Sequence, residues 1–146
     1  MPDTPQSFAN HAQYTPVYHF FASPLALIFA VWSIVRFVQS PSADTGYALV
    51  GALALLGVTM VSRLSPLRVQ DRLIRLEEQL RYRRLLSPEL AARAEATLRP
   101  RHYIALRFAS DAELSALVEQ VLANPSMEPK AIKAAIRNWR ADYFRV

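Results

Sequence analysis

Between Asp3 and Arg36 the chain carries no formal charge, and a second uncharged run extends from Thr45 to Ser62. The apolar part of the first, Val17 to Val38, reads VYHFFASPLALIFAVWSIVRFV, and the second reads TGYALVGALALLGVTMVS. A helix needs about 20 predominantly apolar residues to cross the hydrocarbon core of a bilayer. The first run meets that length, with Arg36 near enough to one end to snorkel. The second meets it once Arg63 snorkels and Leu64 joins the span. Only Gln39–Asp44 (QSPSAD) separates them, a polar turn too short to hold a domain. The expected architecture is therefore a transmembrane helical hairpin, with spans at about 17–38 and 45–64.

A secretory signal and a soluble core hairpin both fit the apolar runs less well. A secretory signal needs a basic region before its apolar stretch, and residues 1–16 contain no Lys or Arg. A hairpin in a soluble core would show a polar face on each helix, and neither segment has one.

Charge placement sets the direction of insertion. Residues 1–62 hold one of the 17 basic residues, and Arg63, Arg68, Arg72 and Arg75 follow the second run at once. Cationic segments stay on the cytoplasmic side, so both termini are expected in the cytoplasm of a multi-pass protein, with 1–16 a cytoplasmic N-terminal segment. Arg36, near the outer face, dissents alone. Tyr18, Phe20 and Phe21 at one edge, with Trp32, Phe37 and Tyr47 toward the other, suit interfacial anchoring. Ala22, Ala26, Ala30 and Ser33 form a strip of small residues on one face of the first span. Ala48, Gly51 and Ala52 offer a counterpart on the second, so the spans are expected to pack on each other or on a partner's helix. Pro24 either starts the regular helix or kinks it.

Residues 65–146 read as a basic, cytoplasmic, all-α module, since no stretch alternates with period two. Ser65-Pro66 has the form of an N-cap and first helical residue, so a new helix or a kinked continuation is expected there. Val69, Leu73, Leu76 and Leu80, at 4, 3, 4 spacing, give residues 66–86 one apolar seam over roughly 31 Å. That seam either completes the module's small core or binds a partner. Asp71–Arg75 and Glu77–Arg81 are ordered as i,i+4 ion pairs. Ser87-Pro88 opens a helix over 88–98, which Pro100 ends, leaving a short segment with Tyr103, Ile104 and Phe108. Ser110 and Glu113 form a capping box before the apolar face Leu114, Leu117, Val118 and Val121. After Asn124-Pro125, a last helix is expected from about Glu128 to Tyr143, with Ile132, Ile136, Trp139 and Tyr143 on one face.

The segments VQDRLIRLEEQLRYRRLL, ALRFASDAEL and KAIKAAIRNWRADYFRV, with NHAQYTPVYHF before the first span, carry a resemblance. The chain resembles an uncharacterised family of two-span bacterial membrane proteins, classed only as a domain of unknown function. The resemblance covers nearly the whole chain and implies a place in the bacterial inner membrane. It implies no activity, ligand or catalytic residue.

The residues give little sign of chemistry. The chain has no cysteine, which removes disulfides, thiolate metal sites and a cysteine nucleophile. His11 and His19 could meet near the membrane surface as haem or metal ligands, but nothing completes a ligand set. An interfacial anchor with Tyr14 and Tyr18 accounts for them better, and His102 stands apart. Glu77 and Glu78 are adjacent, so they point about 100° apart on a helix and cannot face each other as an acid/base pair. Ser87 and Ser110 have capping roles. The three glycines all lie in or beside the second run and leave no phosphate-binding loop. No catalysis, metal or cofactor is expected.

The basic surface remains. Arg68, Arg72, Arg75, Arg81, Arg83 and Arg84, with Lys130, Lys133, Arg137 and Arg140, form two candidate patches for the anionic lipids of the inner leaflet. Nucleic acid could use the same charges, although Trp139 and Tyr143 face the expected core rather than standing free to stack on bases. The reading that accounts for most residues is a non-catalytic, membrane-anchored interaction protein. It would be an accessory, structural or assembly subunit of a larger membrane complex, or a self-associating one, with Val69, Leu73, Leu76 and Leu80 as the partner-binding seam. The alternative is a membrane-tethered module that binds nucleic acid or anionic lipid.

Overall fold

In a computed structural model, residues 6–10 and 14–142 are described, and every regular element among them is a helix. A π-helical turn, Val17–Ala22, leads into α1 (Ser23–Gln39). Then follow α2 (Ala43–Leu85), α3 (Pro88–Thr97), α4 (Pro100–Leu106), α5 (Asp111–Ala123) and α6 (Pro129–Ala135). Two helical runs, Val17–Gln39 and Ala43–Leu85, are long and apolar enough to cross a membrane. The chain divides into two compact units, residues 13–68, and residues 69–145 together with 1–12.

In the first unit, Pro24 sits in the opening turn of α1. Proline has no N–H to give, and the turn just before it is wide, with the Ser23 N–H reaching back to the Tyr18 carbonyl. Pro24 therefore starts the regular α-helix. The QSPSAD turn ends in a cap: the Thr45 N–H donates to Ser42 Oγ at 3.2 Å, and Thr45 Oγ1 donates to the Ser40 carbonyl at 2.9 Å. These bonds start α2 two residues before the uncharged run.

Of the two courses open at Ser65-Pro66, a new helix or a continuation, the chain takes the continuation. Pro66 lies inside α2, which continues to Leu85. A new helix would need a second nucleation, and the long turns of good helix formers on both sides favour propagation through the proline.

The second unit builds its core from all its helices. Tyr82, Tyr103, Leu106, Phe108, Leu114, Val118 and Ile132 are fully buried. Tyr82 and Tyr103 stack with centroids 5.4 Å apart, and the Tyr103 hydroxyl donates to the Ala94 carbonyl. The segment after Pro100 is helical, and Ser87 caps α3 by accepting the Leu90 N–H at 3.2 Å. Leu114, Leu117, Val118 and Val121 are buried along α5 as their spacing predicts, and α5 ends at Asn124.

The last helix is shorter than expected. It covers Pro129–Ala135, and residues 136–142 are not helical. Their backbone is claimed by the α4–α5 junction instead. The Arg137 and Asn138 N–H groups donate to Glu113, Ser110 N–H donates to the Asn138 carbonyl, and Arg140 N–H donates to the Phe108 carbonyl at 2.8 Å. Four bonds to distant partners replace the helical ladder. Ile132 and Ile136 are still buried, and Trp139 packs on Phe108 at 4.7 Å, so these three reach the core without a continuous helix. Tyr143 lies outside the described residues.

Leu106 is fully buried, whereas Leu85, off the seam, is 40% exposed. Leu106→Ala is expected to cost about 2–5 kcal/mol and Leu85→Ala about 1 kcal/mol or less, read by denaturant unfolding of the protein in detergent.

Candidate functional site

Within the second unit, α2 presents two apolar strips. One is Ile74, Tyr82 and Leu86, four and eight residues apart, with Glu78 between the first two, and all four are buried. The other is the seam Val69, Leu73, Leu76 and Leu80, and it is not covered: their exposures are 67%, 53%, 54% and 55%. At 100° per residue the strips lie about 160° apart, on opposite sides of the helix. The module's core is thus completed by the Ile74–Leu86 strip rather than by the seam.

Arg81 ties the buried strip to the rest of the module. Its side chain is 4% exposed. Nε and Nη2 donate to Asp111 Oδ1 at 2.9 and 2.6 Å, Nη2 also donates to the Ala109 carbonyl at 2.7 Å, and Nη1 donates to Glu78 Oε2 at 3.1 Å. Arg81 therefore pairs inward with Glu78, while Glu77, its expected partner, stays at the surface. Glu78 also receives Arg140 Nη1 at 3.3 Å. Burial pushes the Glu78 carboxyl above its usual range, although Arg81 and Arg140 pull it down. Asp111, mostly exposed, is held below its usual range by its hydrogen bonds from Arg81.

Along this cluster runs a groove of about 790 Å³, lined by Leu73, Ile74, Leu80 and the charged side chains of Glu78, Arg81, Arg107, Arg140 and Asp142. Glu78 pairs with Arg81 and Arg140, and Asp142 with Arg107, while Glu77 and Arg84, which also line it, take no ion pair among the described residues. Arg107 Nε lies 2.9 Å from Asp142 Oδ2, and its guanidinium covers the Phe108 ring at 4.4 Å. Gln6 also joins here, accepting the Asp142 N–H at 2.8 Å.

The basic residues do not form two uniform patches. Arg81 is buried, Arg140 pairs with Glu78, and Arg83 is bound to Glu95 at 2.7 and 3.1 Å. Arg75 stands over the Tyr103 ring at 6.0 Å, and Lys133 over Phe108 at 5.4 Å. Arg68, Arg72, Arg84, Lys130 and Arg137 are exposed. Because α6 stops at Ala135, Arg137 and Arg140 do not continue its face.

Glu113 does more than cap α5. Its carboxylate accepts the N–H groups of Ser110, Arg137 and Asn138, at 3.2, 3.1 and 3.1 Å. Burial works to raise its pKa, but these backbone bonds together hold it below the usual range. His102 takes a similar part in α4: fully buried, it accepts the Arg99 N–H on Nδ1 at 3.2 Å. Burial first, then the charges of Arg101 and Arg99, hold its pKa below 6.5.

In the first unit, Ala26, Ala30 and Ser33 on α1 and Ala52 on α2 are buried; Ala22 is half-buried, and Ala48 and Gly51 are exposed. His19 bonds through Nδ1 to the Thr15 backbone and packs edge-on against Tyr14 and Tyr18, at 5.4 and 5.0 Å. His11 lies outside the described residues. Among the described residues no group of three or more metal-ligating side chains comes together.

The sequence reading missed the buried roles of Glu78, Arg81, Tyr82 and Arg107. One signal was available, since Ile74, Tyr82 and Leu86 repeat at multiples of four and mark a second apolar strip beside the obvious seam.

An all-helical chain with two helices of membrane-crossing length is the class these features define. The chain belongs to a family of unknown function (DUF6526), matched over residues 1–146. Comparison with curated proteins and with solved structures gives no match.

Glu113→Ala is expected to destabilise the protein by about 1–2 kcal/mol in denaturant unfolding, and the exposed Glu119→Ala by under about 0.5 kcal/mol. His102 adds a pH dependence. Its folded pKa is depressed, so its stabilising contribution is complete above 6.5 and declines as pH falls below that value toward the folded pKa. His102→Gln keeps a side-chain acceptor at the third helical position. The wild type is expected to lose melting temperature relative to this variant between pH 7.5 and 5.5, by thermal unfolding at each pH.

Proposed function

We propose that this chain is a non-catalytic, membrane-anchored interaction protein. Its two apolar helices form a hairpin in the bacterial inner membrane with both termini cytoplasmic, and its basic module serves as an accessory, structural or assembly subunit of a larger membrane complex. The observation that carries the reading is the seam Val69, Leu73, Leu76 and Leu80, left uncovered on the helix that bears the second apolar run. Contiguous exposed apolar surface of this kind marks an interaction site.

The membrane hairpin is supported by contacts within the first unit. The Arg63 guanidinium stands over the Tyr18 ring at 5.9 Å, joining the start of one apolar helix to the far end of the other run. At the opposite ends, a Cβ on Gly46 would lie 3.5 Å from the Phe37 ring. Phe20, Phe21, Ile28, Trp32, Val50 and Val58 are exposed, as side chains facing lipid are. Arg68 and Arg72, exposed just beyond the second run, suit contact with anionic headgroups at about 1 kcal/mol each. Nucleic-acid binding has less support, because Arg81 and Arg140 are engaged by carboxylates and Trp139 packs on Phe108.

The test is the native mass and composition of the protein extracted from its own membranes in mild detergent, after an alkaline wash. The protein is expected to stay with the washed membranes and to migrate above its monomer mass of 16.5 kDa plus detergent. Replacing Leu73, Leu76 and Leu80 together by Asn is expected to return it to the monomer position. Release by the alkaline wash would remove the anchor, and equal migration of wild type and variant would remove the seam.

A further inference from the structure

We propose that the uncovered seam of α2 is occupied by a second copy of this chain, in a parallel, in-register two-helix coil. The inference rests on the membrane-anchored interaction reading above and names the partner. The 4, 3, 4 spacing places Leu73 and Leu80 at a positions of a heptad and Val69 and Leu76 at d positions. Arg72 then falls at g and Glu77 at e of the next heptad. That offset of five residues is the one that meets across a parallel, in-register pair, and twofold symmetry makes the contact twice. Both side chains are exposed, and among the described residues neither takes an ion pair within its own chain.

Orientation follows from the anchor. Copies inserted the same way in one membrane present α2 in the same direction, so they meet parallel. An antiparallel coil would pair g with g and e with e, so Arg72 and Glu77 would lose each other as partners. The number of strands follows from the flanks. Gln70, Arg72, Glu77, Gln79 and Arg84 occupy the e and g positions, and a third helix would bury these polar groups. The coil is bounded: the preceding a position is Pro66, and the following d position is Arg83, held by Glu95 at 2.7 Å. Four layers over roughly 17 Å make a short coil. It suffices here because the seam helix is already formed as part of α2, and two anchored copies share a membrane surface, which raises their effective concentration.

The absence of cysteine makes the test direct. Single-cysteine variants at positions 69 to 80 of the full chain are oxidised in the membranes of the producing cell, and disulfide-linked dimer is quantified. Yields are expected to peak at 69, 73, 76 and 80 and to fall between them, with minima at Asp71 and Arg75. In Leu76→Cys, adding Arg72→Glu is expected to lower dimer yield roughly tenfold, and adding Glu77→Arg as well to restore it. A yield without this period overturns the proposal, as does a charge-reversed pair that fails to restore it. If Leu76→Cys is shielded from a water-soluble maleimide yet never forms dimer, a different partner covers the seam; the second copy is then excluded while the interaction reading stands. Free labelling with no dimer excludes both.

Discussion

The second unit depends on one guanidinium. Arg81 is nearly sealed from water, and a buried cation without partners would cost several kcal/mol. It finds Glu78 on its own helix, Asp111 at the start of α5 and the Ala109 carbonyl in the turn between α4 and α5. Glu78, equally buried, needs more than one cation and takes Arg140 from the C-terminal segment. Satisfying Arg81 therefore brings together three parts of the chain far apart in sequence. The apolar contacts of Tyr82 with Tyr103, and of Phe108 with Trp139, lie beside this cluster.

Once Arg81 and Glu78 turn inward, the geometry of a helix assigns the remaining residues of α2. The face carrying Ile74, Tyr82 and Leu86 is used up by the module, and Val69, Leu73, Leu76 and Leu80 are left on the other side. A narrow apolar seam beside Arg72 and Glu77 is the surface through which we read the protein's role. The role we propose for it is one of association.

What could be read in the sequence was whatever depended on near neighbours. The two apolar runs stand out because charge is absent over many turns. Ser87 and the Ser110–Glu113 pair mark helix starts within three residues, and α5 declares its buried face by period alone. The remainder depended on distant partners. Residues 136–142 have helical spacing, yet Glu113 and the Phe108 carbonyl take their backbone groups. Glu77 and Glu78 are indistinguishable by type, and only the position of Asp111 and the core decides that Arg81 prefers the second. At Pro66 local signals left a new helix and a continuation both open, and the helix on both sides carried the chain through.

The most direct measurement of this account is a double-mutant cycle between Arg81 and Asp111, using Arg81→Met, Asp111→Ala and the double variant in denaturant unfolding of the full chain. A charge-assisted contact that joins α2 to α5 predicts a coupling of about 1.5–3 kcal/mol between the two sites. Additivity within about 0.5 kcal/mol would show that Arg81 does not hold the module to α2, and would contradict the account.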